Sequence, residues 1–485
     1  MCGETSLNTA VSQRSPTGGP FAYLLFVCLV ATLAGFLFGF DAAVINGTVA
    51  ALSKEFHSSG VGTGLSVSSV LVGSAIGALL AGQYAEKMGR KPLMLLTAVL
   101  FAIGAAGAGA SQSAGMFFIF RLIGGFGVGA ASVVAPAYIA EVSPAAIRGR
   151  LTTLQQLAIV VGLQCAFLSN YLIAHAAGGA GAPWLMGANA WRWMYWVQIV
   201  PSLVYLFCSL LLPESPRYLV AKGREAAARL MMRRLWGSSV DLDETIADIR
   251  KTVSTRERPL SSKLLKPGTG TLLPIVWVGI ALAFFQQASG INAVMYFGEY
   301  LWAAAGFTEQ HGLLINVTLG AVLIVSTLFS MVLVDRIGRR PLLLGGSAIM
   351  STTLLTLTAV FLLSAHDANG VLVMTSTEAQ IILVAEHLFI FAFGVSWGPV
   401  VWVLLGEMFP NRIRAPALAL GAGTQWVTAF IVTTTFPGLL SSVGLSGIFC
   451  IYTIASIAAY VTVFRCVRET KGVVLEDMPD SASVP

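Results

Sequence analysis

The sequence predicts an all-α membrane protein of twelve transmembrane helices, arranged as two pseudo-symmetric six-helix bundles. Three observations carry this expectation. Hydrophobic residues fill 56% of the 485 positions and charged residues 11%, against about 25% charged in an average soluble domain, so most of the chain cannot face water. Apolar runs of about 20 residues, enough to cross a hydrocarbon core of ~30 Å, recur along the chain. Two charged motifs each return six runs later.

The twelve runs centre on 21–46, 64–84, 93–111, 115–140, 151–174, 192–212, 272–303, 312–334, 341–365, 379–405, 415–439 and 443–466. They are continuous rather than alternating, which argues against a β-barrel, and the first is too long for the h-region of a cleavable signal peptide. With both termini inside, the inward loops and tails carry 26 of the 29 Lys and Arg; outward loops carry Lys54 and Arg192, and Arg121 lies within a span. That asymmetry sets the expected topology. The net charge of +6 therefore reads as topology and not as nucleic-acid binding, which would need a basic face on a soluble domain. Cys2, Cys28, Cys165, Cys208, Cys450 and Cys466 form no CxxC and fall mostly in spans. They read as small apolar core residues, without a metal site or disulfide framework.

The expected organisation is a cytoplasmic tail (1–20), a six-helix bundle (21–213), a cytoplasmic linker (214–271), a second bundle (272–466) and a short tail (467–485). The polar stretch from Pro213 to Leu272 holds twelve basic and seven acidic residues. Within it, Gly223 to Trp236 and Asp241 to Thr255 have helical composition, which suits short amphipathic helices on the membrane surface. A plain solvated linker is the alternative.

The halves repeat each other. Glu141, Pro144 and Arg148 follow the fourth run with the spacing of Glu407, Pro410 and Arg414 after the tenth. Gly82 to Lys91, with Glu86 and Arg90, follows the second run as Val334 to Pro341, with Asp335, Arg336 and Arg339, follows the eighth. Such duplication places a solute site between the halves near the bilayer midplane. Each motif packs cations and a carboxylate into one short turn, suited to charge-assisted hydrogen bonds with neighbouring helix ends, as a latch that parts when the halves rock. Positive-inside anchoring alone explains the cations but not the regularly spaced Glu and Pro.

Charges inside the runs are few. Asp41 lies in the outer half of the first, where a carboxylate costs on the order of 3 kcal/mol to insert. Arg121, about two turns into the fourth, is its expected partner. Burial favours the neutral acid and the arginine favours the carboxylate, so the pair suits proton exchange; a structural ion pair is the bland alternative. Glu386 and His387, near the outer edge of the tenth run, read as headgroup-level residues, with a second proton relay as the alternative. Gln286, Gln287 and Asn292 flank a Ser-Gly pair in the seventh run. With Gln156 and Gln425 they offer the paired donors and acceptors that vicinal hydroxyls need, and Trp402 and Trp426 offer flat faces for the C–H side of a sugar ring. A single intramembrane Gln is also an ordinary interhelix hydrogen bond. Gly35, Gly39, Gly124, Gly125 and Gly129 are expected to let helices approach closely.

From Phe36 to Gly472 these residues resemble the sugar porter branch of the major facilitator superfamily. The matching strings are GFLFGFDAAVING, GQYAEKMGRK, RLIGGFGVG, PAYIAEVSPAAIRGR, PESPRYL, QQASGIN, VDRIGRRP, SWGPVVWVLLGEMFPNRIR, the Gln425–Trp426 pair and ETKG. The resemblance implies the major facilitator fold and sugar contacts from Phe38, Gln156, Gln286, Gln287, Asn292, Gly398, Trp402, Gln425 and Trp426. It implies that Asp41 and Arg121 couple a proton, since facilitative members usually have a neutral residue in place of Asp41, and it adds Glu214, Arg217 and Glu469 to the gating network. Departures are Glu86 and Lys87 for the usual Asp and Arg, Leu163 and Leu323 where some members place a sugar-contacting amide, Gln198 where some symporters have glutamate, and Arg468 where proline is usual. The expected activity is proton-coupled symport of a monosaccharide at the cell membrane by a functional monomer, with no cofactor, no metal and no nucleic-acid partner. A facilitative uniporter and a membrane sugar sensor are the alternatives. No nucleophile-base pair or phosphate loop points to an enzyme.

Overall fold

The computed structural model describes residues 19–58, 60–144, 147–237, 242–254, 264–265, 270–366, 372–410 and 413–471. Among those residues it is all-α apart from a two-residue antiparallel pair, β1 (Ala365–His366) with β2 (Leu372–Val373), and two isolated bridges. In lipid every backbone N–H and C=O must be satisfied within its own segment, which is why apolar runs become helices here.

In the first half, α1 (Gly19–Val44) ends in a 3-10 turn at Ile45–Gly47 and a short α2 (Val49–Glu55). Then come α3 (Val61–Met88), α4 (Arg90–Ala110), α5 (Ala114–Val142) and α6 (Arg148–Ala177), and a sixth crossing built from α7 (Ala190–Val197) and α8 (Ile199–Leu210). Three short helices follow, α9 (Pro216–Ala221), α10 (Glu225–Trp236) and α11 (Leu242–Ser254). Helical structure thus replaces the plain linker, and Trp236 Nε1 ties it to the first half by donating to the Val142 carbonyl at 2.8 Å. Asp241 and Thr255, the outer bounds expected for the second linker helix, lie outside the described residues.

The second half comprises α12 (Pro274–Ala288), α13 (Ile291–Ala304), α14 (Glu309–Ile337), α15 (Arg339–Leu363), α16 (Ser376–Val395), α17 (Trp397–Met408) and α18 (Arg414–Cys466). The 53 residues of α18 are two crossings, broken at Gly444 where φ is +69° and ψ is −177°. Counting that break gives twelve spans. The seventh is interrupted at Ser289 and Gly290, the latter left-handed at φ +86°, and the tenth at Ser396.

Small residues bring the helices together, because lipid supplies no hydrophobic drive between them and packing must do the work. A Cβ at Gly39 would stand 1.8 Å from the Ile159 carbonyl oxygen of α6, and one at Gly129 would stand 1.9 Å from the Ser74 carbonyl oxygen of α3. Both obstacles are backbone, which cannot swing aside. Gly129→Val is expected to lower stability by about 1–3 kcal/mol or more, read as a fall in melting temperature of the purified protein; an unchanged melt would contradict this packing.

The halves meet through α3 with α18 and α6 with α14. Hydrogen bonds across the seam lie toward the face opposite the linker, here called the far face. Ser68 Oγ and Thr434 Oγ1 are 2.7 Å apart, Asn316 Nδ2 donates to Asn46 Oδ1 at 2.7 Å, and Ala180 N donates to Glu309 Oε1 at 2.5 Å.

Candidate functional site

The structure brings Asp41 and Arg121 together. Both are buried, at 3% and 2% exposure, and Arg121 Nη1 donates to Asp41 Oδ2 at 3.0 Å. The guanidinium also reaches the Asp41 carbonyl, at 3.3 and 3.4 Å, and lies over the Tyr195 ring at 5.7 Å. Gly124 stands beside Asp41 Oδ1 on α5, one turn from Arg121, so the helix backbone comes close to the carboxylate. Gln198, at the junction of α7 and α8, donates its Nε2 to Asp41 Oδ1 at 3.1 Å. Both carboxylate oxygens therefore carry a donor. Arg121 Nε and Gln198 Oε1 remain buried without a partner among the described residues, so the donors on Asp41 offset only part of the cost of burying the pair.

Nearer the middle of the molecule, the expected sugar contacts fall into two groups. Phe38 of α1 and Trp426 of α18 face each other across the seam with ring centroids 6.2 Å apart. On the second half, Gln286 Nε2 donates to the carbonyls of Trp397 and Gly398 at 2.7 and 3.1 Å, while its Oε1 is buried without a partner. Asn292 Nδ2 donates to Gln287 Oε1 at 2.6 Å. These carbonyls belong to the first turn of α17, just after the break at Ser396, and the amides lie on either side of the break at Gly290. Trp402 lies one turn beyond Gly398 on the same face and is 38% exposed. Gln156 and Gln425 are half-buried. Leu163 and Leu323 are both buried, at 9% exposure.

At the linker face the charged residues form two matching clusters, each closed within its own half. In the first, Arg90 Nη2 donates to Glu141 Oε1 at 2.7 Å and Arg90 Nη1 to the Ala85 carbonyl at 3.1 Å. Glu214 accepts the backbone N–H groups of Arg90, Lys91 and Ser215, and Ser215 Oγ donates to Glu141. In the second, Arg339 donates to both oxygens of Glu407 at 2.9 and 2.7 Å and to the Val334 carbonyl at 3.0 Å. Glu469 accepts the N–H groups of Arg339, Arg340, Thr470 and Lys471, and Thr470 Oγ1 donates to Glu407 at 2.6 Å. Each carboxylate thus sits on the N-terminus of α4 or α15, where orphan N–H groups and the helix dipole favour an anion. Gly89 and Gly338 precede those helices at φ +100° and +104°; a Cβ there would also strike Glu214 or Glu469. Glycine is required on both counts.

The other expected members of this network also lie on the linker side. Glu86 and Arg336 are exposed, and Asp335, 77% exposed, approaches Arg339 at 3.4 Å. Arg217 is half-buried on α9. Arg414 Nε bonds the Phe409 carbonyl of its own turn at 3.2 Å. The side chain of Arg148 lies outside the described residues. Burial pushes the Glu469 carboxyl up, but the four backbone N–H donors outweigh it and hold the group below the ordinary carboxylate range. A depressed carboxyl contributes stability that is present above the unfolded-state pKa of about 4 and is lost as pH falls through the lower folded value. Glu469→Gln is therefore expected to flatten the acid limb of the melting temperature between pH 5 and about 3. An unaltered acid limb would contradict this.

The chain matches the family model described as "Sugar (and other) transporter" over residues 27–481. It belongs to the sugar porter family of the major facilitator superfamily. Among its relatives, a glucose transport protein of Synechocystis sp. is 50% identical, covering 96% of this chain and 99% of that one. The D-xylose-proton symporter of Escherichia coli is 32% identical, covering 94% and 95%. The inward-open structure of the E. coli xylose transporter XylE superposes with a TM-score of 0.79 at 30% identity, over 94% of this chain and 99% of that one.

Against that family pattern, several polar residues of this sugar porter escaped sequence reasoning. Gln198 departs from the family pattern, yet nothing in its sequence neighbours signals that it holds Asp41. Asn46 joins the halves from a loop-like 3-10 turn. Glu386 is 1% exposed, with neither oxygen partnered among the described residues, on the side of α16 opposite the exposed Val384 and Leu388, so it points into the bundle. His387 turns the other way and bonds Thr318 Oγ1 at 2.8 Å. Of the cysteines expected in the core, Cys28 alone among the described residues is buried; Cys165 and Cys208 are half-buried, and Cys450 and Cys466 are exposed.

Proposed function

We propose that this sugar transporter is a proton-coupled symporter of a monosaccharide, a hexose or pentose such as glucose, galactose or xylose, working by alternating access. The observation that carries the reading is the buried Asp41–Arg121 pair, an acid cut off from solvent in this conformation and so available to trade its proton only when the halves rock. Relatives named as a glucose transport protein and as a D-xylose-proton symporter support it. Phe38, Gln156, Gln286, Gln287, Asn292, Gly398, Trp402, Gln425 and Trp426 are taken to hold the sugar: the amides pair with hydroxyls, and the rings cover its C–H face. The linker face is assigned to the cytoplasm, with both termini, in the plasma or inner membrane. The working unit is the monomer. The two clusters around Arg90 and Arg339 brace each half as a rigid body, so that rocking occurs between halves.

One observation favours facilitated diffusion instead. Gln198 and Arg121 together supply donors to both Asp41 oxygens, an arrangement that suits a permanently ionised structural pair. Uptake into proteoliposomes separates the readings. Symport predicts accumulation of labelled glucose or xylose above the outside concentration when the outside is acidic, abolished by a protonophore. Uptake that levels off at equality, whatever the pH gradient, would leave the uniporter.

A further inference from the structure

Glu299 on α13 lies outside the machinery above. It is 3% exposed, and its Oε2 is buried with no hydrogen-bond partner among the described residues. It is buried because the halves close over it at the far face. Its backbone N–H donates to Asn46 Oδ1 at 3.2 Å, Asn316 Nδ2 donates to the same oxygen at 2.7 Å, and Asn46 Nδ2 donates to the Met295 carbonyl at 2.8 Å. Asn46 comes from the first half, and the other three residues from the second. The neighbour across the seam for the Glu299 carboxylate is the backbone N–H of Ala50 on α2.

No cation stands against it among the described residues. The Ile45–Gly47 turn and α12 carry no charge, and α18 has only Arg414 and Arg465 at its linker-face ends. On α2, Lys54 is exposed, and Glu55 is taken up by Arg192, Trp191 and Asn189. From α14 come Glu309, which repels it and is spent on the Ala180 N–H, and His311, exposed and bound to Thr308. From α1, Asp41 is paired with Arg121. Glu55 shows what a held carboxylate looks like here: three side-chain donors. Glu299 has one backbone donor, and its Oε2 is buried with no partner among the described residues.

We infer that Glu299 is a proton-binding site of the far gate: the seam closes on the neutral acid, and loss of that proton to the far solution holds the seam open. The physical reason is that a buried carboxylate with an unmade hydrogen bond and a like charge nearby costs far more than a buried neutral acid. Opening the seam removes the cost by returning the group to water. The proton enters from and returns to the same solution, so it gates movement of the halves without being carried across. The inference rests on alternating access between the halves and stands whether or not Asp41 couples transport.

Hydrogen exchange of the full chain in lipid nanodiscs, followed in segments 45–52 and 293–304 and corrected for the intrinsic pH dependence of exchange, tests it. Protection there is expected to fall about tenfold or more between pH 6 and pH 9, since each pH unit beyond the titration changes the closed population by a factor of ten. Glu299→Gln, or Glu299→Met as a second neutral variant, is expected to stay protected at both pH values, and Glu299→Asp to keep the pH response. Wild-type protection that ignores pH overturns the proposal. So does a neutral variant that responds as the wild type does, or a response that follows sodium at constant pH. Failure of the symport reading would show instead as absent pH-driven accumulation and would leave this measurement unaffected.

Discussion

Asp41→Asn is expected to abolish uphill sugar uptake while sugar still equilibrates across the membrane. With one proton per sugar, each unit of pH gradient supplies about 1.4 kcal/mol, a tenfold concentration ratio. A wild-type ratio near ten at one pH unit should therefore fall to one. Asparagine keeps the size of the side chain and an oxygen that accepts from Arg121, so the change removes the proton site and little of the packing. The arginine loses its counter-charge in a dry site, and a slower exchange rate is expected alongside. Measuring internal sugar against time in proteoliposomes, with and without a gradient, gives both quantities. If the variant still accumulates sugar as the parent does, Asp41 is not the coupling acid.

Removing the other partner should cost stability instead. Arg121→Leu leaves the Asp41 carboxylate buried with only Gln198 as a side-chain donor, and truncating one member of such a pair costs about 3–5 kcal/mol. The double variant Asp41→Asn with Arg121→Leu should recover part of that loss, because a neutral pair in the same space has little desolvation to offset. Melting of the four proteins forms a double-mutant cycle. Equal melting temperatures for Arg121→Leu and the wild type would mean that the pair contributes nothing to the fold. The stabilities and the transport readout move separately: the double variant regains stability without regaining accumulation.

The Asp41–Arg121 pair was legible in the sequence because a charge inside an apolar run is costly enough to demand a reason. Two such charges at similar depth in different spans are then natural partners. Glu141 with Glu407, and Arg90 with Arg339, were legible through identical spacing in the two halves. Glu214 and Glu469 were not recognisable as counterparts from spacing, since the segments leading to them differ in length. Only the folded chain places both on the N-terminus of an equivalent helix. The clusters also close within each half, a grouping that a motif on a loop does not specify.

The sequence by itself determined the solvent, the number of crossings, the duplication and the principal ion pair. Each of these follows from local composition: lipid penalises every unpaired polar group, so polar residues in the spans are few and mark their own importance. What only the tertiary structure decided was direction. Glu386 and His387 are neighbours in the chain, yet one points into the bundle and the other toward the flank of α14. Gln198, Asn46 and Glu299 gain their surroundings only from the helices that bury them. Successive residues of a helix are turned about 100° apart, so which of them is sealed depends on how each helix is rotated and which helices flank it.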